Sequence, residues 1–212
     1  MKIDAELSDE RRPYRQTARA AAAEATAQRI VDAFRARLER LWFEDIRLED
    51  VAQEAGVTVQ TIIRRFGGKE GLLGPTSDAI ERDVLSTREA PPGDAPAAVA
   101  ALVRDYEVNG EVYMRALAQE DRYPALRRMT DTGRASHRGW VERVFAPELA
   151  GQPDDIARRR LDGLVVATDV YVWKLIRRDM GRSVSELEDH MLRLIQAALF
   201  IPNALPTQDI PR

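Results

Sequence analysis

The sequence predicts an all-α protein, with an N-terminal three-helix domain containing a helix-turn-helix and a larger C-terminal helical domain. Three observations predict it. Apolar residues recur at three- and four-residue spacing over long stretches, and clusters of proline and glycine divide those stretches. In addition, Ala52, Gly56 and Ile62 stand at the spacing of two short helices that cross tightly. At 212 residues the chain can hold one large helical domain or a small one plus a larger one. A composition of 44% hydrophobic and 32% charged residues belongs to a globular chain and not to a disordered one. The expected division is an arm over 1–13, a helix-turn-helix domain over 14–73, a larger helical domain over 74–201 and a tail over 202–212.

In chain order, residues 1–13 are polar and end at Pro13, which reads as a flexible arm. Residues 14–43 read as one Ala-rich helix, with Ile30, Val31, Phe34, Leu38 and Leu41 at helical spacing. Trp42 and Phe43 are expected to plug the core at its end. The next helix starts near Leu48 and puts Leu48, Val51, Ala52 and Ala55 on one face. Ala52 is small enough for a close crossing, Gly56 can take a left-handed turn, and Thr58 is a natural N-cap. The helix from Val59 to Phe66 then points Ile62 and Phe66 inward. It leaves Thr58, Gln60, Thr61, Arg64 and Arg65 to an outside partner. An apolar underside with polar and guanidinium groups outside is what reading a DNA groove requires. The bland alternative is an ordinary bundle whose arginines are merely solvated. If DNA is the partner, Arg11 and Arg12 of the arm can reach its minor groove or phosphates.

The run Phe66-Gly67-Gly68-Lys69-Glu70-Gly71-Leu72-Leu73 resembles the end of the DNA-binding domain of TetR-family repressors. Asp50-Val51-Ala52, Ala55-Gly56-Val57-Thr58 and Thr61-Ile62 match the same pattern. The resemblance is close over residues 29–73 and weak to absent beyond. It implies a cytoplasmic repressor that binds a double-stranded DNA operator of two-fold symmetry as a homodimer. Thr58, Gln60, Thr61, Arg64, Arg65, Lys69 and Arg47 would face the DNA, and an unknown small-molecule effector would release it. The chain departs from the family at several points. Ile63 and Arg65 stand where phosphate-contacting tyrosines are usual; arginine makes the same contact with more charge. Leu41-Trp42-Phe43 replaces a glycine after the first helix. Arg47 replaces a capping threonine, which leaves Asp45 as the alternative cap. Gly74-Pro75 falls where the fourth helix normally continues, so that helix is expected to start late or to kink.

Beyond it, three prolines and a glycine between Arg88 and Pro96 mark a loop. A helix is expected from Ala97 to about Asp121. Pro124 starts a short one, and Gly133 separates that from a third carrying His137, Trp140, Val141, Val144 and Phe145. Pro147, Gly151 and Pro153 mark the next loop. Residues 154–180 read as a single helix that is apolar nearly all round and must therefore be covered all round. Ser183 and Glu186 have capping-box spacing before a last helix ending near Phe200. Leu164, Val165, Thr168, Val172, Leu187, Met191, Leu194 and Ala198 are the expected dimer interface, two such hairpins forming a four-helix contact as in TetR-type dimers. The alternative is that both helices lie inside a monomer core.

Catalysis finds little support. There is no cysteine, no glycine-rich phosphate loop and no recognisable triad order, and His137 and His190 lack metal-ligand spacing. The expectation is no catalytic site, no metal and no cofactor. A small-molecule pocket is expected where polar groups interrupt apolar helices, at Tyr106, Asn109, Tyr113, Glu120, Trp140, Asp169 and Trp173. The alternative is core packing for the aromatics and an ion pair for Asp169. The net charge of −3 is unevenly distributed: twelve basic against nine acidic residues between Arg11 and Glu70, then nineteen against twenty-two from residue 71. This leaves a modest basic face near the N-terminus. No apolar run approaches membrane-spanning length and no signal-peptide pattern is present, so no membrane partner is expected. The second functional reading is a helical small-molecule-binding or protein-interaction module that does not bind DNA.

Overall fold

A computed structural model describes residues 6–200, with side chains from residue 19 onward. The expected tail, the first five residues of the arm and the side chains of Arg11 and Arg12 lie outside them. Among the described residues the structure is all-α, as the sequence predicts, and no helix is long and apolar enough to cross a membrane. The chain divides into two compact units between Thr76 and Ser77.

The first unit begins with α1, Glu6–Leu38. This helix starts earlier than residue 14 and ends earlier than residue 43. Pro13 withholds one amide from the backbone ladder without interrupting it, so residues 6–13 are helical where an arm was expected. Ile30, Val31, Phe34 and Leu38 of α1 are buried, and Phe34 meets Phe43 edge to face at 6.5 Å between centroids. Phe43 opens a single 3₁₀ turn, Phe43–Asp45, while Trp42 points outward and is 44% exposed, so only one of the two aromatics plugs the core. Next come α2, Leu48–Ala55, and α3, Val59–Phe66, with α2 packed on both α1 and α3. Burying each large apolar side chain here stabilises the unit by roughly 1.5–3 kcal/mol. Two arginines of α1 tie down α2: Arg29 Nε donates to the Ala55 carbonyl at 3.3 Å, and Arg37 Nη2 to the Asp50 carbonyl at 2.8 Å. A 3₁₀ turn, Glu70–Leu72, leads into α4, Leu73–Thr87. This helix neither starts late nor requires a kink, because Pro75 falls in its first turn, where the missing N–H has no partner to lose.

The second unit takes in α4 from Ser77 and the remaining helices. Asp94 caps α5, Ala95–Leu117, by accepting the Ala97 amide at 2.9 Å. The next helix, α6, runs unbroken from Pro124 to Val144. Gly133 does not split it: a helical glycine costs about 1 kcal/mol, while Leu126 and Thr130 before it and Trp140, Val141 and Val144 after it are all buried. One turn, α7 (Ala146–Leu149), precedes α8, Asp154–Ala167.

The expected single helix over 154–180 is broken. Thr168 and Asp169 leave helical geometry, Asp169 at φ −71°, ψ 150°, and the chain resumes as α9, Val170–Trp173, then a π-helical stretch, Lys174–Asp179. Local polar groups compete with the ladder here. The Thr168 hydroxyl donates to the Leu164 carbonyl at 2.8 Å, and an Asp169 carboxylate oxygen accepts the Tyr171 amide at 2.8 Å. Ser183 and Glu186 form the expected capping box at the start of α10, Val184–Leu199. In the core, α5 lies against α6, α9 and α10, and α8 packs on α10 and α6.

The α5–α9 contact depends on a missing side chain. A Cβ on Gly110 would lie 2.6 Å from Cη2 and Cζ3 of Trp173, whose indole Nε1 donates to Glu107 at 2.7 Å. Gly110→Ala is therefore expected to destabilise the protein by about 1–3 kcal/mol despite its better helix propensity. Adding Trp173→Phe to that variant should recover part of the loss. Chemical denaturation of the two single variants and the double variant checks this coupling.

Candidate functional site

In the first unit, α2 and α3 meet at a sharp turn. Gly56 takes φ +66° and ends α2, and the Val57 amide still reaches the Ala52 carbonyl at 2.9 Å. Thr58 caps α3: its hydroxyl accepts the Thr61 amide at 3.2 Å and lies 3.0 Å from the Thr61 hydroxyl. Ile62 is buried, while Thr58, Gln60, Arg64 and Arg65 are exposed and Thr61 is half-buried. Ile63 is 43% exposed on the same helix. Among the described residues Arg64 has no ion-pair partner, whereas Arg65 pairs with Glu24 at 3.1 Å. Arg47 is exposed at the N-cap of α2 and gives that helix no side-chain cap.

In the second unit, α4, α5, α6 and the α8–α9 junction enclose a cavity of about 400 Å³. Most of its wall is apolar, with Ile80, Val84, Leu117, Met129 and Val165 among the lining residues. One end is polar, and a buried ion pair organises it. Arg88 Nε donates to Asp105 Oδ2 at 2.9 Å and Nη2 bonds the same oxygen. Asp105 Oδ1 also accepts from Asn109 Nδ2 at 2.7 Å and from the Tyr113 hydroxyl at 3.2 Å. The guanidinium lies 4.9 Å from the Tyr106 ring centroid and 6.0 Å from that of Trp140. The Tyr106 hydroxyl donates to the Thr168 carbonyl at 2.9 Å, and Trp140 Nε1 to the Arg88 carbonyl at 2.8 Å. Burial raises the pKa of both phenols, and Asp105 pushes that of Tyr113 higher still.

His137 completes this end. Its Nδ1 lies 3.3 Å from Arg88 Nη1 and its Nε2 lies 3.1 Å from the Thr168 hydroxyl. Burial, and then the Arg88 charge, bring its pKa down to about 3, so the ring is neutral. Arginine can only donate, so Nδ1 is the acceptor and Nε2 carries the hydrogen toward Thr168, whose own hydroxyl donates to Leu164.

Residues 43–74 match the family of bacterial regulatory proteins, tetR family. The chain carries a TetR-type N-terminal domain. In fold it is similar to a protein described as a transcriptional regulator from Pseudomonas aeruginosa PAO1, with TM-score 0.61, 17% identity and coverage of 82% of this chain and 89% of that one. It is also similar to a protein described as a TetR-family transcriptional regulator from Mesorhizobium loti MAFF303099, at 0.53, 22%, 82% and 95%. A transcriptional regulator from Rhodococcus sp. Rha1 gives 0.63, 17%, 85% and 99%. These likenesses are of fold. No curated protein matches the sequence.

Within the TetR-type domain, Thr58, Gln60, Thr61, Arg64 and Arg65 share α3. Lys69 has a different role: its ammonium donates to the carbonyls of Phe43, Glu44 and Ile46 at 2.8, 3.1 and 3.0 Å and sits 4.7 Å from the Phe43 centroid. All three of its donors are engaged inside the domain, which leaves none for a phosphate. Burial lowers its pKa, against the opposing pull of Asp45, Glu44 and Glu70.

Of the residues expected around a pocket, Tyr106, Tyr113, Trp140 and Asp169 line the cavity. Asn109 stands behind the wall as a partner of Asp105. Glu120 bonds Arg134 and Thr130, and Trp173 packs on Gly110. Arg88, Asp105 and His137 were missed. Of the expected dimer residues, Leu164, Thr168, Leu187, Met191 and Ala198 are buried within the chain's own core; Val165 lines the cavity and Val172 is half-buried. Leu194 is 44% exposed and Val166, on the outer side of α8, is 66% exposed.

The neutral imidazole has a measurable consequence. The unfolded chain binds a proton at His137 near pH 6.5, whereas the folded chain does so only near pH 3. Folding stability is thus fully present above pH 6.5 and declines as pH falls through this window. Between pH 7 and pH 5 the unaltered protein should lose about 2 kcal/mol more than His137→Gln, as measured by urea denaturation at both pH values.

Proposed function

We propose that this chain is a transcriptional repressor that binds a two-fold symmetric operator as a homodimer and is released by a small molecule held in the C-terminal cavity. The carrying observation is α3: a capped helix with a buried apolar underside and an outward row of Thr58, Gln60 and Arg64, in a domain that matches the TetR family. In this reading Arg64, exposed on α3, meets a phosphate, and Gln60, exposed on the same helix, reads a base edge in the major groove. Arg65 reaches DNA by exchanging Glu24 for a phosphate; an exposed ion pair of this kind is worth about 0–1 kcal/mol, so the exchange is easy. Release follows if the ligand and the operator favour different separations of the two reading heads.

Dimerisation uses the outer faces of α8 and α10, because the inner faces are already occupied by the chain's own core. Val166 and Leu194 are exposed apolar residues on these helices. The double variant Val166→Glu/Leu194→Glu should remain folded and elute as a monomer where the unaltered protein elutes as a dimer, as read by light scattering.

The DNA-binding reading is tested by gel shift against the gene's own upstream DNA across a salt series. A sequence-dependent complex is expected, and its absence even at low salt would overturn the reading. Arg64→Ala should weaken the complex and flatten the slope of log affinity against log salt by about two per dimer, because each protomer then neutralises one phosphate fewer. Gln60→Ala should leave that slope intact and change the preferred base.

A further inference from the structure

The cavity's polar end is electrically complete, and this restricts what it can hold. Arg88 and Asp105 are both buried and pair with each other. Asp105 already accepts from Arg88, Asn109 and Tyr113, so it offers little to a ligand. Arg88 is different. A guanidinium has five N–H hydrogens; two go to Asp105 and one to His137. Of the two remaining hydrogens, on Nη1 and Nη2, one faces the Tyr106 hydroxyl oxygen and the other has no acceptor among the described residues. Arg88 thus brings a hydrogen-bond donor to the cavity without net charge.

The groups beside this pair add no positive charge. His137 is neutral over the physiological range and cannot supply a second positive charge. Asp169, also on the wall, adds a negative one. A ligand carboxylate at this end would lie close to the Asp105 carboxylate in a water-poor setting with a single guanidinium between them, which is unfavourable. A ligand ammonium would face Arg88. The rest of the wall is mostly apolar, with Glu81 and with Arg134 and Arg138 paired to Glu120 and Asp162, and about 400 Å³ is available, enough for a molecule of drug-like size.

We infer that the cavity takes an uncharged, mainly apolar ligand that presents one hydrogen-bond-accepting oxygen, such as a ketone or an ester carbonyl, to the free N–H of Arg88. This rests on the reading of the cavity as the effector site.

The test uses the full-length protein and four probes of matched shape: 4-(2-naphthyl)butan-2-one, its amine analogue 4-(2-naphthyl)butan-2-amine, 3-(2-naphthyl)propanoate and the hydrocarbon 2-(3-methylbutyl)naphthalene. Calorimetric titration should show the ketone binding at least about tenfold more tightly than the carboxylate and the amine, and more tightly than the hydrocarbon. Asp105→Asn keeps the shape and the acceptor toward Arg88 but removes the balancing negative charge. In that variant the ratio of carboxylate to ketone affinity should rise by about tenfold or more, a gain that a merely structural role for Asp105 does not produce. Carboxylate or amine binding as tight as the ketone in the unaltered protein would overturn the assignment of ligand class, with or without a foldable variant. An unchanged ratio in folded Asp105→Asn would overturn it as well. Failure of all four probes to bind would overturn the effector-site reading itself and the ligand class with it.

Discussion

The interior of the C-terminal unit depends on one carboxylate. Asp105 projects from α5 and engages Arg88 just beyond α4, and through it the imidazole of α6, while Asn109 and Tyr113 hold its other oxygen. Removing one partner of a buried ion pair costs far more than the pair contributes, because the other charge is left without compensation. The network therefore acts as a specification of geometry more than as a source of stability. It ties the residue after α4 to α5 and α6, and it gathers Tyr106, Tyr113 and Trp140 around one guanidinium and its carboxylate at the polar end of the cavity.

The same network reaches the backbone at the α8–α9 break. Thr168 receives the hydrogen of His137 on its hydroxyl and that of Tyr106 on its carbonyl. An uninterrupted helix would have turned that carbonyl along its own axis. The break supplies the acceptor that a buried phenol needs, and the phenol in turn satisfies a carbonyl that the break removed from the ladder. Neither would be tolerable without the other.

The helix-turn-helix was legible from the sequence because its determinants are local: a small residue, a turn glycine, a capping threonine and a buried isoleucine within eleven positions. The C-terminal helices were legible as elements, and less so as arrangements. Apolar spacing runs straight through Thr168 and Asp169, so nothing in the periodicity announced a break made by side-chain competition for backbone groups. Gly133 looked like a boundary because its intrinsic cost is visible in sequence, while the packing on both sides that overrides it is not. Arg88 was hidden in a proline-rich run that reads as solvent-exposed loop, and its partner lies seventeen residues away. Leu187 and Met191 were correctly placed on one stripe, but periodicity says only that a stripe is buried and not whether the same chain or a second copy covers it.

The contact between Gly110 and Trp173 bears on how this protein can diverge. The indole occupies the volume that any other residue at position 110 would need, and no smaller side chain at 173 would fill the space above the glycine. Two positions sixty-three residues apart thus form a single heritable unit. A change at either one alone passes through an overfilled or a hollow intermediate, so related sequences should gain or lose the glycine and the tryptophan together.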